Sequence, residues 1–362
     1  MNSAYFNPTE ILLPTPQERK QIFFYLKRIS SYTAWHRISI FYQEWVEATR
    51  RCVAIASERG IDELAGIKES HYVGAIQGFA HFEEGLRRLR NGDKRVFKFD
   101  ANGEFAMADR PLGHWDTYIL RMFEWHEHPP LDENNTPGWT EYFSAFQAVA
   151  SAWGECCLIL EARRLDEPAP LSYGQALRER LSQIRFPRDL PEVPDPQDNI
   201  LVSSGRAIPC SGIWEPIDAR KPPLFSLFRQ DSPKGPFTVV GCMNYLHGGS
   251  AAPKAYQETE DDGFEMDVVW RLLWRDERYQ DGSIPEEEQQ YEFMTPKAEN
   301  SPAQSSPAAE NAKLISLASG QRATYAGRWL VEGDLFSSLT IQAGDILPLH
   351  NGKKVRWVLA EE

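Results

Sequence analysis

The sequence predicts an α+β protein in which an N-terminal helical bundle with an inserted β-hairpin precedes a C-terminal β-rich domain of two related small β-units. Three observations lead to this prediction. Apolar residues recur with a helical period over roughly the first half of the chain, a proline-rich segment follows, and the rest alternates short apolar runs with turn residues. The 42% of hydrophobic residues among 362 supply ample core material for two domains.

The helical prediction rests on periodic apolar stripes with recognisable ends. Pro16 stands near the start of the first helix, Ser30-Ser31 interrupts it, and Gly60 and Asn91-Gly92 are typical stops for the second and third. The expected helices cover approximately residues 16–29, 33–58, 70–90, 115–127, 139–164 and 172–183.

Near residues 95–108 the period of the sequence changes from that of a helix to that of a strand. Val96-Phe97-Lys98-Phe99 and Glu104-Phe105-Ala106-Met107 flank a segment that ends in Asn102-Gly103. Asn-Gly is the usual turn of a two-stranded hairpin. The pattern predicts a β-hairpin that closes one end of the bundle.

Prolines mark the domain boundary. Four of them fall within Phe186–Pro196, a density that excludes a helix interior or a central strand. We therefore divide the chain into a helical domain (1–185), a linker (186–200) and a β-rich domain (201–362). Residues 295–312 are rich in Pro, Ala, Ser, Glu and Asn, which predicts a mobile loop.

The β-rich domain contains an internal repeat. Ser204–Trp214 and Ser319–Trp329 share the pattern Ser-Gly, six residues, Gly, any residue, Trp. Each copy continues through a loop that runs from a glycine to a proline, Gly241 to Pro253 and Gly344 to Pro348, and reaches a strand with another Trp. The residues expected to build these units are Pro209, Gly212, Trp214, Trp270, Gly327, Trp329 and Trp357.

The acidic net charge argues against direct binding of nucleic acid and is compatible with a basic protein partner. The chain carries 39 Lys and Arg against 52 Asp and Glu, a net charge of −13, whereas direct nucleic-acid binding requires a basic footprint. Six acids and no base lie within residues 258–267, and a second acidic run lies at 286–288. The six are Glu258, Glu260, Asp261, Asp262, Glu265 and Asp267. Two interpretations stay open, a solvated loop or an anionic docking surface for a basic protein.

Motifs for catalysis or metal binding are absent from the sequence. It has no G-x-S-x-G, P-loop, H-E-x-x-H or G-x-G-x-x-G motif. His126 and His128 are two residues apart, so on a helix they point to different sides, and we expect no metal site there. Cys210, Cys242 and His247 could supply a thiol–imidazole pair, but buried small-residue packing is the favoured explanation of the thiols. No cofactor and no metal are predicted.

Cysteine usage and hydropathy indicate a cytoplasmic location. Five cysteines, an odd number without a C-x-x-C pair, fit a reducing compartment. The N-terminus lacks the pattern of a secretory signal, and no stretch of about 18 apolar residues predicts a membrane span.

Several phrases of the sequence carry a family resemblance, and they occur at Ile22–Trp35, Pro209–Pro216, Gly241–Gly249, Trp270–Asp276 and Ala323–Trp329. Over nearly its full length the chain resembles the immunity proteins of bacterial polymorphic toxin systems, of the types numbered 71 and 72. This resemblance implies a non-enzymatic protein that binds a cognate toxin and blocks it. Such toxins are commonly delivered between bacteria by contact-dependent machinery such as type VI secretion. The resemblance supplies no catalytic residues.

The leading interpretation is therefore a cytoplasmic inhibitor that occludes a basic toxin, as a nucleic-acid mimic where the toxin attacks nucleic acid. Two alternatives stay open. One is an accessory or scaffold protein of the same secretion apparatus, and the other is an enzyme with a dispersed site that uses Cys210, Cys242 or His247. The aromatic-rich helical half could also hold a homodimer interface.

Overall fold

The computed structural model describes residues 11–125, 131–160, 167–218, 237–258, 263–294, 316–331, 334–350 and 352–361. The chain forms two compact units, residues 1–301 and 302–362, each of which is described by itself. Helices in the N-terminal half and short antiparallel strands after it confirm the α+β class. None of the helices in the described ranges combines the length and apolar character that crossing a bilayer requires. The domain boundaries at 185 and 200 follow changes of secondary structure and stay predictions.

Of the six α-helices in the described residues, five lie close to the predicted ranges, whereas the fourth begins at Glu104, eleven residues before its predicted start. The six helices are α1 (Pro16–Ile29), α2 (Tyr32–Glu58), α3 (Glu69–Arg90), α4 (Glu104–Trp125), α5 (Trp139–Leu160) and α6 (Gln175–Gln183). Thr15 and Glu18 form a reciprocal capping box at the start of α1, where the Thr15 N–H donates to the Glu18 carboxylate at 2.9 Å. Ser31 caps α2 by accepting a hydrogen bond from the Ala34 N–H. The helix α2 packs against α3 and α5, and α3 packs against α4.

The predicted β-hairpin at 95–108 is wrong. Residues Lys94–Phe97 form a short 3₁₀ helix, and α4 already begins at Glu104. The Asn-Gly turn itself exists, because Asn102 has a φ of 50° and the Gly103 N–H donates to the Lys98 carbonyl at 2.7 Å. A Cβ atom on Gly103 would lie within 2.9 Å of three backbone carbonyl oxygens, so only glycine fits there. This turn joins two helical segments instead of two strands.

Tertiary packing explains the difference. The rings of Phe97 and Phe105, on either side of the turn, both contact Trp35 of α2, with centroids 5.3 and 4.0 Å from it. Both phenylalanines are buried. Burial of these two rings against one tryptophan outweighs the local strand preference of the sequence.

The first unit continues with short strands after the proline-rich segment. They are β1 (Gln197–Ser203), β2 (Gly212–Asp218), β3 (Thr238–Val239), β4 (Asn244–Leu246), β5 (Ala255–Glu258), β6 (Gly263–Met266) and β7 (Val269–Arg275). The main sheet is antiparallel in the order β1-β7-β2-β3, β4 also pairs with β2, and β5 and β6 form a separate hairpin. Because β1 begins at Gln197, the chain is already a strand within the range predicted as linker.

The two faces of this sheet lie in different cores. Ile213, Tyr245 and Leu273 join the large core built mainly by the helices. Trp214 and Trp270 point to the opposite face and form a smaller core with aliphatic side chains. Because strand side chains alternate between the two faces, one face of the sheet completes the large core of the helices. This shared core connects the helical and β-rich parts of the first unit.

The second unit contains β8 (Ser316–Ala318), β9 (Gly327–Val331), β10 (Asp334–Ile341) and β11 (Arg356–Glu361), in the sheet order β10-β9-β11-β8. It has its own small core around Trp329 and Trp357. The residues predicted as a mobile loop, 295–312, lie outside the described residues.

Matching hydrogen bonds confirm that the β-units are related. The Ser204 hydroxyl accepts from the Val268 N–H at 3.0 Å, as the Ser319 hydroxyl accepts from the Val355 N–H at 3.1 Å. In each unit the last Trp donates its indole N–H to a proline carbonyl, and the two pairs are Trp270 with Pro253 and Trp357 with Pro348.

Two further matching hydrogen bonds correct one detail of the predicted repeat. The Gly249 N–H donates to the Ile208 carbonyl, and the Gly344 N–H donates to the Ala323 carbonyl, both at 2.8 Å. Gly344 therefore corresponds to Gly249 and not to Gly241. The two proline positions correspond as predicted.

Candidate partner-binding surface

The aromatic residues of the repeat lie inside the β-units. Trp214, Trp270 and Trp329 have no exposed surface, and Trp357 is 3% exposed. A Cβ atom on Gly212 would lie 2.1 Å from the Trp274 carbonyl oxygen, so this glycine lets β2 and β7 approach closely. Pro209 is exposed, and Gly327 begins β9. None of the four tryptophans presents a surface to a partner.

The acidic segment at 258–267 is divided by the fold. Glu260, Asp261 and Asp262 lie outside the described residues. Glu258, at the end of β5, turns toward the helical part, where its carboxylate accepts a hydrogen bond from the Ser172 hydroxyl and its carbonyl accepts one from the Leu12 N–H. Glu258 therefore anchors the β5–β6 hairpin and is unavailable for a partner.

The outer side of the same hairpin is accessible. The side chain of Glu265 is 43% exposed and lies 3.5 Å from the ammonium of Lys254, and Asp267 just after β6 is exposed. Phe264 is 36% exposed, but as the preceding residue of the same strand it lies on the opposite face from Glu265. The two unburied carboxylates can supply charge complementarity to a protein partner.

The second acidic run at 286–288 has a structural use that the sequence did not indicate. Glu288 is 2% exposed, and its carboxylate accepts from the backbone N–H and the hydroxyl of Thr33 at 3.0 and 2.6 Å and from the Tyr279 hydroxyl. Thr33 lies in the first turn of α2, where the helix dipole favours a negative charge. Glu287 pairs with Lys27, so of the three only Glu286 is exposed and without such a role.

A buried ionic cluster joins α1 to the sheet, and sequence reasoning missed it as well. Arg278 donates to Asp276 at 2.7 and 2.8 Å, to the Ser30 hydroxyl at 2.7 Å and to the Lys27 carbonyl at 2.9 Å. Asp276 also accepts a hydrogen bond from the Tyr245 hydroxyl. Burial alone would raise the pKa of Asp276, but the Arg278 guanidinium outweighs burial and holds the pKa at about 2.

Two further buried carboxylates are each held between two arginines. Glu215 of β2 pairs with Arg19 of α1 and with Arg271 of β7. Glu155 of α5 lies between Arg28 and Arg37, at 3.0 and 3.2 Å. The Glu215 group fixes α1 against the sheet, and the Glu155 group fixes α5 against α1 and α2, so neither carboxylate is free to bind a partner.

The residues of the thiol–imidazole alternative, Cys210, Cys242 and His247, lie in different environments. Cys242 is buried and Cys210 is half-buried, and burial raises the pKa of both thiols, which keeps them protonated. The His247 ring donates from Nε2 to the Leu160 carbonyl oxygen. Across the described part of the chain no hydrogen bond joins either sulfur to this ring, which argues against an activated thiol.

Metal ligands do not cluster in what the structure describes. His126 and His128 lie outside the described residues, and within the described ranges no group of three or more His, Cys, Asp or Glu side chains could hold a metal ion.

His247 makes the stability of the first unit depend on pH. Burial lowers the pKa of His247 to about 4 from its ordinary value near 6.5. As the pH falls below about 6.5, the unfolded chain takes up the proton and the folded chain does not, so stability decreases until the pH reaches about 4. We expect His247→Gln, which can still donate to Leu160, to reduce the pH dependence of the free energy of unfolding by up to about 1.4 kcal/mol per pH unit.

Urea unfolding of the parent and His247→Gln chains at several values between pH 5 and pH 6.5 measures this slope. His71→Gln is the matched control, because burial lowers the pKa of His71 less strongly. Identical slopes in the parent and His247→Gln chains would contradict the expectation.

One cleft of about 780 Å³ lies in the helical part, between α4, α5 and residues 292–294. Its apolar lining includes Ile119, Phe143, Phe146 and Phe293. The cleft can accept an apolar side chain, and its charged lining residues are Arg28, Asp116, Arg185 and Glu292, of which the last two lie 3.7 Å apart.

Comparison with known families places these features in context. The family model described as Immunity protein 71 matches residues 13–170, and the model described as Immunity protein 72 matches residues 193–292. No curated protein and no solved structure matches the chain. The first match covers α1 to α5 and the second covers β1 to β7, so each corresponds to one structural part of the first unit. The chain therefore carries an Immunity protein 71 region followed by an Immunity protein 72 region, both of them immunity protein families.

Proposed function

We propose that this chain neutralises a cognate bacterial toxin in the cytoplasm by binding it without catalysis, and that the outer side of the β5–β6 hairpin is part of the binding surface. The match to two immunity protein families supports a toxin as the partner. The observation that carries the location is the exposure of the Glu265 and Asp267 carboxylates on one hairpin.

Electrostatics favours occlusion of a basic toxin. The hairpin carries two exposed carboxylates, and by sequence three further acids occupy 259–262 between its strands. Such a cluster accelerates encounter with a cationic surface and excludes partners of like charge. If the toxin attacks nucleic acid, its active site is basic, and the hairpin would compete with the nucleic-acid backbone for it.

Reversal of the hairpin charges is the direct test. A chain with Glu265→Lys, Asp267→Lys and Asp261→Lys should associate with the toxin about tenfold or more slowly, because steering depends on these charges. The dependence of the association rate on salt should also become shallower. Stopped-flow or surface-binding kinetics with the toxin domain encoded beside this chain, at several salt concentrations, measures both.

The control separates the location of the charges from their number. Glu286→Lys, Asp189→Lys and Asp195→Lys make the same change in net charge at exposed positions away from the hairpin. An equal loss in the control, or an unchanged rate and salt slope in the hairpin chain, would contradict the proposed surface. Growth rescue of cells that express the toxin tests neutralisation itself, because a scaffold protein of a secretion apparatus would bind without rescue.

A further inference from the structure

The two β-units correspond residue by residue, which allows their surfaces to be compared. In the first unit β4 pairs with β2 so that Asn244 opposes Trp214, and in the second β10 pairs with β9 so that Leu339 opposes Trp329. The bridge Ala207–Ala251 corresponds to Arg322–Ile346. Since Pro253 corresponds to Pro348, the residues that follow, Lys254 and Leu349, also correspond. The positions of Asn244, Ala251 and Lys254 are thus taken by Leu339, Ile346 and Leu349.

An extended segment pairs with two of these positions in the first unit, the side chain of Asn244 and the backbone of Lys254. Pro168 forms a parallel bridge with Lys254, and the Ala169 N–H donates to the Lys254 carbonyl at 2.8 Å. The Asn244 side chain accepts from the Leu171 N–H at 3.0 Å and donates to the Leu171 carbonyl at 2.8 Å. Ala169 is 4% exposed and belongs to the same core as Trp214. Residues 168–171 thus act as an added strand that closes the rim of this core.

The corresponding positions of the second unit are open. Leu339, Ile346 and Leu349, here called the open rim, are 42, 58 and 53% exposed. Leu339 and Ile346 line one groove of about 530 Å³ together with Pro348, and Arg322 and Asp345 flank it. Among the described residues of 316–361, no segment pairs with the open rim as 168–171 pairs with the first unit.

The direction of the residue changes shows that the open rim is not an ordinary solvated surface. The buried amide of Asn244, the methyl group of Ala251 and the exposed ammonium of Lys254 are replaced in the second unit by three exposed aliphatic side chains. A surface in contact with water gains nothing from this change, since it exposes apolar area. A surface that binds a segment of another chain gains affinity from it.

We propose that the open rim binds an extended, uncharged segment of the toxin, which adds to the second unit as residues 168–171 add to the first. This inference rests on the proposed function, because it takes the toxin as the partner. Backbone hydrogen bonds at the strand edge would supply affinity for any extended chain, and small apolar side chains of the Pro, Ala and Leu type would fit between Leu339 and Ile346. The site lies outside both regions matched by family models, so it would be a contact surface additional to the Immunity protein 72 region.

The test uses the full chain with Leu339→Asp and Ile346→Asp together. Because both side chains are exposed, the variant should keep the thermal unfolding of the parent chain. Its dissociation constant for the toxin domain encoded beside this chain should rise at least tenfold, mainly through faster dissociation. Leu64→Asp, at a 78% exposed leucine of the first unit, is the matched control and should bind like the parent chain.

The possible outcomes distinguish a failure of the proposed function from a failure of the open-rim inference. A parent chain that neither binds the toxin nor rescues growth contradicts the proposed function, whereas a rim variant that binds as tightly as a functional parent overturns this inference alone. An equal loss in Leu64→Asp also overturns it. If light scattering shows that the rim change converts a dimer into a monomer, the occupant is a second copy and the inference is wrong. A photo-crosslinking residue at 346 should attach to the toxin, and one at 64 should not, which tests the contact even if the double variant fails to fold.

Discussion

Replacing Asp276 with alanine is expected to lower the free energy of unfolding of the first unit by about 3–5 kcal/mol, the usual cost of removing one partner from a buried ion pair. Arg278 would keep a buried guanidinium without its carboxylate, since its side chain is 5% exposed. The Tyr245 hydroxyl would lose its acceptor, and the Lys94 ammonium would lose the ion-pair partner that lies 3.4 Å away. The loss should exceed that of any exposed ion pair in the chain, because such pairs contribute about 0–1 kcal/mol.

A double-mutant cycle separates this pair from its surroundings. Asp276→Ala, Arg278→Met and the double variant are compared by urea unfolding followed through tryptophan fluorescence. The double variant should be more stable than the sum of the two single changes predicts, because it leaves no unpaired charge in the core. Glu277→Ala, at the exposed carboxylate between the two residues, serves as the control. Additive effects, or a loss below about 1 kcal/mol for Asp276→Ala, would contradict a buried and mutually dependent pair.

The pH dependence of the pair follows from the depressed pKa of Asp276. In the unfolded chain this carboxyl titrates near its ordinary value of about 4, and in the folded chain it titrates at about 2. Its contribution to stability is therefore fully present above about pH 4 and is lost as the pH falls through about 2. Asp276→Ala should remove this part of the acid sensitivity, which lies below the pH window of His247.

The sequence predicts those parts of the fold that depend on local patterns. The helices α1 to α3 carry their stops and caps in the sequence, and the repeat is visible because Gly212 and Trp214 recur as Gly327 and Trp329. The ionic pairs could not be predicted in this way. Arg278 contacts Ser30 across nearly 250 positions of the sequence, and only the three-dimensional fold brings such partners together.

Candidate binding residues show the same limit. Composition alone identified 258–267 as the most acidic segment, but it could not show that Glu258 turns inward to Ser172 whereas Glu265 stays exposed. The open rim carries almost no signal in a single sequence, because Leu339 and Leu349 are ordinary strand and loop residues. Their meaning depends on knowing that Asn244 and Lys254 occupy the same places and pair there with residues 168–171.

Replacing Trp35 with alanine is expected to cost about 3–5 kcal/mol of stability, the range found when a buried aromatic ring is deleted from a core. Trp35 is 1% exposed, and its ring contacts Phe82, Phe97, Phe105 and Trp153 with centroids between 4.0 and 6.1 Å. Its indole N–H donates to the Ile29 carbonyl at 2.9 Å, which satisfies an acceptor at the C-terminal end of α1.

The size of the replacement distinguishes packing from hydrogen bonding. Trp35→Phe keeps a ring but leaves the Ile29 carbonyl without this donor, so it should cost roughly 1–3 kcal/mol, less than the alanine change. Tyr325→Ala, at an aromatic residue that is 46% exposed in the second unit, should change stability by no more than about 0.5 kcal/mol. Thermal unfolding and limited proteolysis measure the order of the three variants. Since Phe97 and Phe105 depend on Trp35 for their burial, cleavage near residues 98–103 should accelerate in Trp35→Ala and stay slow in Tyr325→Ala. If residues 98–103 are equally protected from cleavage in Trp35→Ala and Tyr325→Ala, packing on Trp35 does not hold this turn in the conformation that joins two helical segments.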